Sequence, residues 1–363
     1  MKLFTPVQLG ALSLKNRVVM APLTRMRATE GDVPGELAAE YYSQRASSGL
    51  IISEATQISN LAKGYPATPG IYSDAQVAGW KKVTDAVHAK GGNIVCQLWH
   101  VGRISHSSLH LAEGLPVAPS AIAPTGKVYT ATWQLADYET PRAMNVDEIP
   151  ALIADYVHAA QQAKAAGFDG VEVHGANGYL LDQFLHDGSN KRVDQYGGSF
   201  ENRSRLLLEV LKAVIGVWGA DRVGVRLSPY GTFNDMSDHD TLGLFTYLVQ
   251  QLNLLGLSYL HLIEPRSTMA GGTDKVAEDQ PSTSKLFRPL YQGQIIAAGG
   301  FNREGAEEFV SEDLADAIAF GRLYISNPDL PERLLADAPL TPYDRKTFYG
   351  GDAKGYVDYP TMD

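Results

Sequence analysis

The chain has 363 residues, 44% of them hydrophobic, and a formal net charge of -10. That length can bury a large core unaided, and a single cysteine, Cys96, excludes an internal disulfide or a thiolate cluster. The acidic balance argues against nucleic acid or an anionic membrane as partner.

The first segment, Phe4–Lys15, reads as a small hairpin turning at Gly10, placed to plug the bottom of a barrel. The opening stretch MKLFTPVQLG lacks the apolar run of a signal peptide, so a cytoplasmic location is expected. Strand candidates follow at Arg17–Thr24, Leu50–Thr56, Asn93–His100, Gly170–His174, Val223–Ser228, Tyr259–Glu264, Gln294–Gly300 and Ala317–Arg322. Most are continuous apolar runs, as parallel strands buried on both faces require.

Helical signals fill the intervals. Asp74 opens a helix ending at Gly91–Gly92. After the third strand, Asp147 reads as an N-cap with Pro150 in the first turn, and apolar residues recur from Ile149 to Ala160 before Gly167 stops the helix. Ser199 with Glu201 opens a helix through Trp218. Its apolar stretch from Leu206 is broken by Glu209 and Lys212 and is shorter than a membrane span.

Eight strands alternating with helices predict an α/β fold, a closed (β/α)8 TIM barrel. A doubly wound open sheet is the alternative, but its Gly-x-Gly-x-x-Gly turn occurs nowhere in the chain. No linker, repeat or low-complexity tract divides the sequence, so residues 1–363 are expected to form one domain. Val101–Asn145 is long, contains prolines and has no helical period, which predicts a capping excursion over the site.

Chemistry in such barrels gathers at the C-terminal strand ends. Those ends supply Pro22, Leu23 and Thr24; Glu54, Ala55 and Thr56; Gln97 to His100; His174, Asn177 and Tyr179; Arg226; Gly299 and Gly300; and Gly321 with Arg322. The seventh and eighth ends mark the usual phosphate site, with glycines for close backbone approach and Arg322 for charge-assisted hydrogen bonds, although tight turns alone would also explain the glycines. After the fourth strand, His174 and Asn177 are donors three residues apart, able to converge on one oxygen, with Tyr179 as a nearby proton donor. The alternative for His174 is a satisfied core histidine. No strand end carries a lysine for Schiff-base chemistry. His100, His106 and His110 suit surface or core positions better than a metal site, so no metal is expected. Cys96 is expected to be an inert packed thiol.

The segments NRVVMAPLTRMRA, ISEATQIS, QLWHVGRIS, VEVHGANGYLLDQFLHDGSNKRVDQYGGSFENRSRLLLEV, the GGF and FGR turns and FYGGDAKGYVDYP cover essentially the whole chain. Over them it resembles the old yellow enzyme family, and within it the bacterial N-ethylmaleimide and nitrate-ester reductases. The resemblance implies non-covalent FMN across the barrel top, reduced by NADPH or NADH. It also implies ping-pong hydride transfer through flavin N5 to enones, maleimides and nitroalkenes, with nitrate esters as a further class. It places Pro22, Leu23, Thr24, Ala55 and Gln97 on the ring, Arg226 beside its pyrimidine edge, and Gly299, Gly300, Gly321 and Arg322 on the phosphate. His174 and Asn177 would bind the substrate's carbonyl or nitro oxygen and Tyr179 would sit on the far side of the alkene. Tyr65, Trp99, Phe233 and Tyr349 would line the substrate channel. Small electrophilic alkenes and phenolic ligands are the implied partners of a monomer or homodimer, with no nucleic acid and no membrane. The donor pair is His–His in some members and His174–Asn177 here, which keeps the reaction and leaves the preferred substrate open. Related barrels that reduce dienoyl thioesters or demethylate amines carry a cysteine cluster and a second dinucleotide domain, which one cysteine and this length exclude. A metal-dependent barrel hydrolase and a binder without turnover are the competing readings.

Overall fold

The computed structural model describes residues 1–110, 112–265 and 281–362. Its central sheet holds Val18–Met20 (β1), Leu50–Ile52 (β2), Ile94–Trp99 (β3), Gly170–Gly175 (β4), Val223–Leu227 (β5), Tyr259–Ile263 (β6), Ile295–Ala298 (β7) and Ala317–Phe320 (β8). All neighbours pair in parallel. The order β4-β5-β6-β7-β8-β1-β2-β3 closes on itself through β3 and β4, with Glu172 opposite Gln97. This is the predicted closed barrel, wrapped by helices that include Asp74–His88, Ile149–Ala165, Phe200–Trp218 and Thr241–Asn253.

Period-two alternation sorts the strand residues. Val18, Ile51, Ile94, Val171, Val173, Val225 and Leu260 join the helices in the outer core with Trp80, Leu206 and Phe245. The alternate residues Val19, Leu50, Ile52, Val95, Tyr259 and Ile296 form an inner cluster with Leu9, Leu12 and Leu14. Those leucines belong to the N-terminal hairpin, Val7–Leu9 against Leu12–Leu14, so the hairpin plugs the barrel bottom as expected. Its turn needs glycine, because a Cβ on Gly10 (φ 55°) would come within 2.2 Å of the Asp221 carbonyl oxygen.

Three local expectations are corrected. The turn before Ile149–Ala165 is capped by Asn145, not Asp147: Val146–Glu148 form a 3-10 turn, and the Asn145 N–H donates to the Glu148 carboxylate at 2.6 Å. The second strand candidate breaks into Leu50–Ile52 and Thr56–Gln57. Between them Glu54 turns into the protein, where its carboxylate accepts from the Arg25 N–H (3.2 Å) and the Tyr42 hydroxyl (3.3 Å). Among the described residues the capping excursion has no α-helix, as predicted, but it contains an unforeseen hairpin, Lys127–Tyr129 against Leu135–Asp137.

A segment near the C-terminus is docked on the barrel top. Arg25 Nε donates to the Phe348 carbonyl (3.0 Å) and its Nη2 to that of Gly355 (2.7 Å), while Arg27 Nη2 reaches the Thr347 carbonyl (2.9 Å). Tyr356 stacks on Tyr41 at 4.3 Å, and the Arg45 guanidinium lies 3.8 Å from the Tyr41 ring on the same side chain cluster. This clamp sets Phe348 and Tyr349 at the mouth of a deep cavity.

Candidate active site

Above the apolar plug the barrel interior turns polar. Register places His174, Arg226 and His261 side by side on β4, β5 and β6, with Glu172, Gly224 and Tyr259 one inward step below. Glu172 is fully buried and accepts from Gln97 Nε2 (2.7 Å) and His261 Nδ1 (2.9 Å). Burial alone would raise its carboxyl pKa, but His261, Arg226 and Gln97 together bring it below the usual range. Gly224 leaves room for the neighbouring ring, since a Cβ there would come within 2.3 Å of Tyr259.

A cavity of about 830 Å³ opens over this floor. Ala21 just past β1, Ala298 on β7 and Ala319 on β8 line one side of it with small side chains, which leaves space above the plug there. The residues that the resemblance assigns to cofactor, substrate and chemistry all line this one cavity: Pro22, Leu23, Thr24, Ala55 and Gln97; Arg226; Gly299, Gly300, Gly321 and Arg322; His174, Asn177 and Tyr179; and Tyr65, Trp99, Phe233 and Tyr349. The other strand-end candidates Glu54, Thr56 and His100 are buried away from it.

At one end stand the β7 and β8 turns. Gly299 has φ 119°, and a Cβ there would come within 2.7 Å of the Glu264 carbonyl oxygen. No other residue type fits that backbone, which leads straight into the helix Arg303–Ser311 capped by the Asn302 side chain on the Gly305 N–H (2.9 Å). Backbone N–H groups at a helix start and an arginine suit a phosphate.

At the other end stand side chains. His174 Nδ1 accepts from the Ala176 N–H (3.3 Å), which leaves Nε2 as the protonated, donating nitrogen. Burial first, then the positive charges of Arg226 and His261, push the His174 pKa well below its ordinary value, so the ring is neutral. Asn177 sits in the left-handed region at φ 58°. Its N–H donates to Ser228 Oγ (2.8 Å) and its carbonyl accepts from Asn234 Nδ2 (2.8 Å), which fixes that unusual backbone. Tyr179 stands edge-on to Trp99 (4.9 Å) and His174 (5.1 Å), and its hydroxyl lies 3.3 Å from that of Tyr65. Burial raises the Tyr179 pKa, so the phenol keeps its proton. Between the two ends, Arg226 presents a buried Nε with no hydrogen-bond partner among the described residues. A buried donor left so is costly unless a ligand accepts it.

Sequence reasoning missed several supporting residues. Ser228 and Asn234, which fix Asn177, lie on another strand end and carry no local signal. Glu172 did carry one: it stands two residues before His174 on one strand and so shares its face. Tyr129 of the unforeseen hairpin also reaches the cavity.

No helix among the described residues is long and apolar enough to cross a membrane. The sequence matches the NADH:flavin oxidoreductase / NADH oxidase family over residues 2–340. It is 48% identical to 12-oxophytodienoate reductase 1 of Oryza sativa subsp. japonica, over 99% of this chain and 93% of that protein. The structure of morphinone reductase in complex with tetrahydroNAD superposes with a TM-score of 0.93 at 50% identity, covering 100% of this chain and 98% of that one. The old yellow enzyme homologue from Zymomonas mobilis superposes with a TM-score of 0.94 at 45% identity, with both chains covered fully. The chain therefore belongs to the NADH:flavin oxidoreductase / NADH oxidase family and is an FMN-dependent oxidoreductase of the old yellow enzyme type.

Proposed function

We propose that this cavity holds FMN and an activated alkene together, and that the protein is an NAD(P)H-dependent ene-reductase. The observation that carries the reading is the neutral, Nε2-protonated His174 set beside a backbone-locked Asn177 in the same cavity as the glycine turns of β7 and β8. The residues fit FMN: Gly299, Gly300, Gly321 and Arg322 hold the phosphate, Pro22, Leu23, Thr24, Ala55 and Gln97 meet the ring, and the unpaired Arg226 Nε finds an acceptor at the pyrimidine edge. Bound there, FMN supplies hydride taken from NADPH or NADH.

The chain's own side chains do the rest. His174 and Asn177 donate to the carbonyl or nitro oxygen and stabilise the charge that builds there as hydride arrives at the β-carbon. Both donors are uncharged, so they bind a ketone without an anion. Tyr179 holds a proton for the α-carbon, and Tyr65 hydrogen-bonds the Tyr179 hydroxyl from behind. Trp99, Tyr65, Phe233 and Tyr349 line the approach with apolar surface. Phenols fit the same donor pair through their oxygen. The relatives are named for reduction of morphinone and of 12-oxophytodienoate, which supports ketone-bearing substrates. The experiment is anaerobic stopped-flow. NADPH should bleach the flavin band, and an enone should restore it faster than buffer does. Bleaching without enone-dependent recovery rejects an ene-reductase, and no bleaching at all identifies a binder.

A further inference from the structure

Gln97 faces the cavity from β3, yet its amide is committed beneath it. A side-chain amide has one donating and one accepting end, and either can point up. Glu172 removes the choice: an ionised carboxylate only accepts, so Gln97 must turn Nε2 down to it at 2.7 Å and present Oε1 to the cavity. Glu172 is itself held, since its other oxygen accepts from His261 Nδ1 at 2.9 Å and both groups are fully buried. Arg226, one step up on the neighbouring strand, presents donors only. The cavity floor thus shows an acceptor from Gln97 and donors from Arg226. An isoalloxazine pyrimidine ring carries the matching set, an imide N–H between two carbonyls.

We infer that Glu172 is a positioning residue that fixes the amide of Gln97 as an acceptor and so makes the site select a flavin whose imide nitrogen bears a proton. Glu172 touches neither flavin nor substrate; it acts through Gln97. The inference rests on the proposed placement of Gln97 at the ring, and the test separates the two.

The probe is 3-methyl-FMN, in which a methyl group replaces that hydrogen, in exchange competition against FMN bound to the purified holoenzyme; the bulk of the methyl is common to every variant, so the change in preference between variants carries the test. Wild-type protein should prefer FMN by roughly tenfold or more, the scale of one hydrogen bond whose buried partner goes unsatisfied. Glu172→Gln allows the Gln97 amide to turn over, so the preference should fall severalfold from the wild-type ratio even where both flavins bind more weakly. A structural defect would weaken both flavins alike and leave their ratio unchanged. Glu172→Asp keeps the acceptor-only charge and should retain most of the preference; Glu172→Met, which removes the acceptor below Gln97, should lose it and serves if Glu172→Gln does not fold. In a Gln97→Leu background, Glu172→Gln should change the ratio no further. A wild-type enzyme with no preference, or a Glu172→Gln enzyme that keeps it, overturns the inference. If Gln97→Leu keeps the preference, the placement of Gln97 itself is wrong.

Discussion

The two ends of the cavity are built from different parts of the chain. The β7–β8 end uses backbone: Gly299 and Gly300 in positive-φ conformations and N–H groups leading into a helix. The β4 end uses side chains, His174, Asn177 and Tyr179, held by a backbone that other loops lock in place. A backbone site is sensitive to any added Cβ, whereas a side-chain site is sensitive to the loss of single atoms. On the function proposed above, anchoring and chemistry separate along one cavity, and substitutions at the two ends should fail in different assays.

The largest effect is expected at the reactive end. Tyr179→Phe should slow enone reduction by roughly 10²–10⁴-fold, the usual contribution of a general acid, while leaving flavin reduction by NADPH intact. Wild-type enone rates in that variant would assign the proton to water. Next, His174→Ala or Asn177→Ala should cost on the order of 10²–10³-fold in the same half-reaction and abolish phenol binding, because each removes one oxyanion donor. Retained phenol affinity in both variants would move the substrate oxygen elsewhere.

At the anchoring end, Gly299→Ala should loosen FMN about tenfold or more, since forcing a Cβ into that backbone costs on the order of 1–3 kcal/mol before the collision with Glu264 is counted. Dilution of the holoenzyme, followed by the fluorescence of released flavin, reads this directly. Enone turnover at saturating FMN should stay near wild type; a loss there would show that the two ends are not separable.

The smallest effects concern pH. His174 is held neutral by burial and by Arg226, so the enone half-reaction should be flat from about pH 6 to 8, on either side of an ordinary histidine pKa near 6.5. A step near 6.5 would mean that His174 titrates normally. Stability should behave otherwise. His100 is pushed down to about 3 by burial, with His110 beside it. Below pH 6.5 the unfolded chain takes up a proton at this position and the fold does not, so stability is lost as pH falls, by about 1.4 kcal/mol per pH unit for this residue until its folded pKa is reached. Urea unfolding of wild type and His100→Gln at pH 7 and 5.5 measures that slope, which should shrink in the variant.

How much of this was legible depended on distance along the chain. The barrel could be read because each strand is a local apolar run, and Gly299 and Gly321 could be placed at the cavity because they close strands at the end of the barrel where sites gather. His174, Asn177 and Tyr179 showed themselves by crowding one strand end. What stayed hidden joins distant segments. The break at Glu54 depends on Tyr42 and on the Arg25 backbone, and Asn177 depends on Ser228 and Asn234. The hairpin at Lys127–Tyr129 is only three residues a side, too short for alternation to register. Asp147 was misread as a cap because Asn145 and Asp147 are both good cap residues, and only the reach of Glu148 back to the Asn145 N–H decides between them.

The arginine clamp has a consequence for biosynthesis. Arg25 and Arg27 hold carbonyls of Thr347, Phe348 and Gly355. Those partners leave the ribosome only after all eight barrel strands have been made. A nascent chain can therefore close its barrel while the wall carrying Phe348 and Tyr349 is still missing. Until that segment arrives, the guanidinium of Arg25 lacks the Thr347, Phe348 and Gly355 carbonyls that hold it in the fold. A flavin entering during this interval would meet a site without the Phe348 and Tyr349 wall, which the later residues would then complete over it.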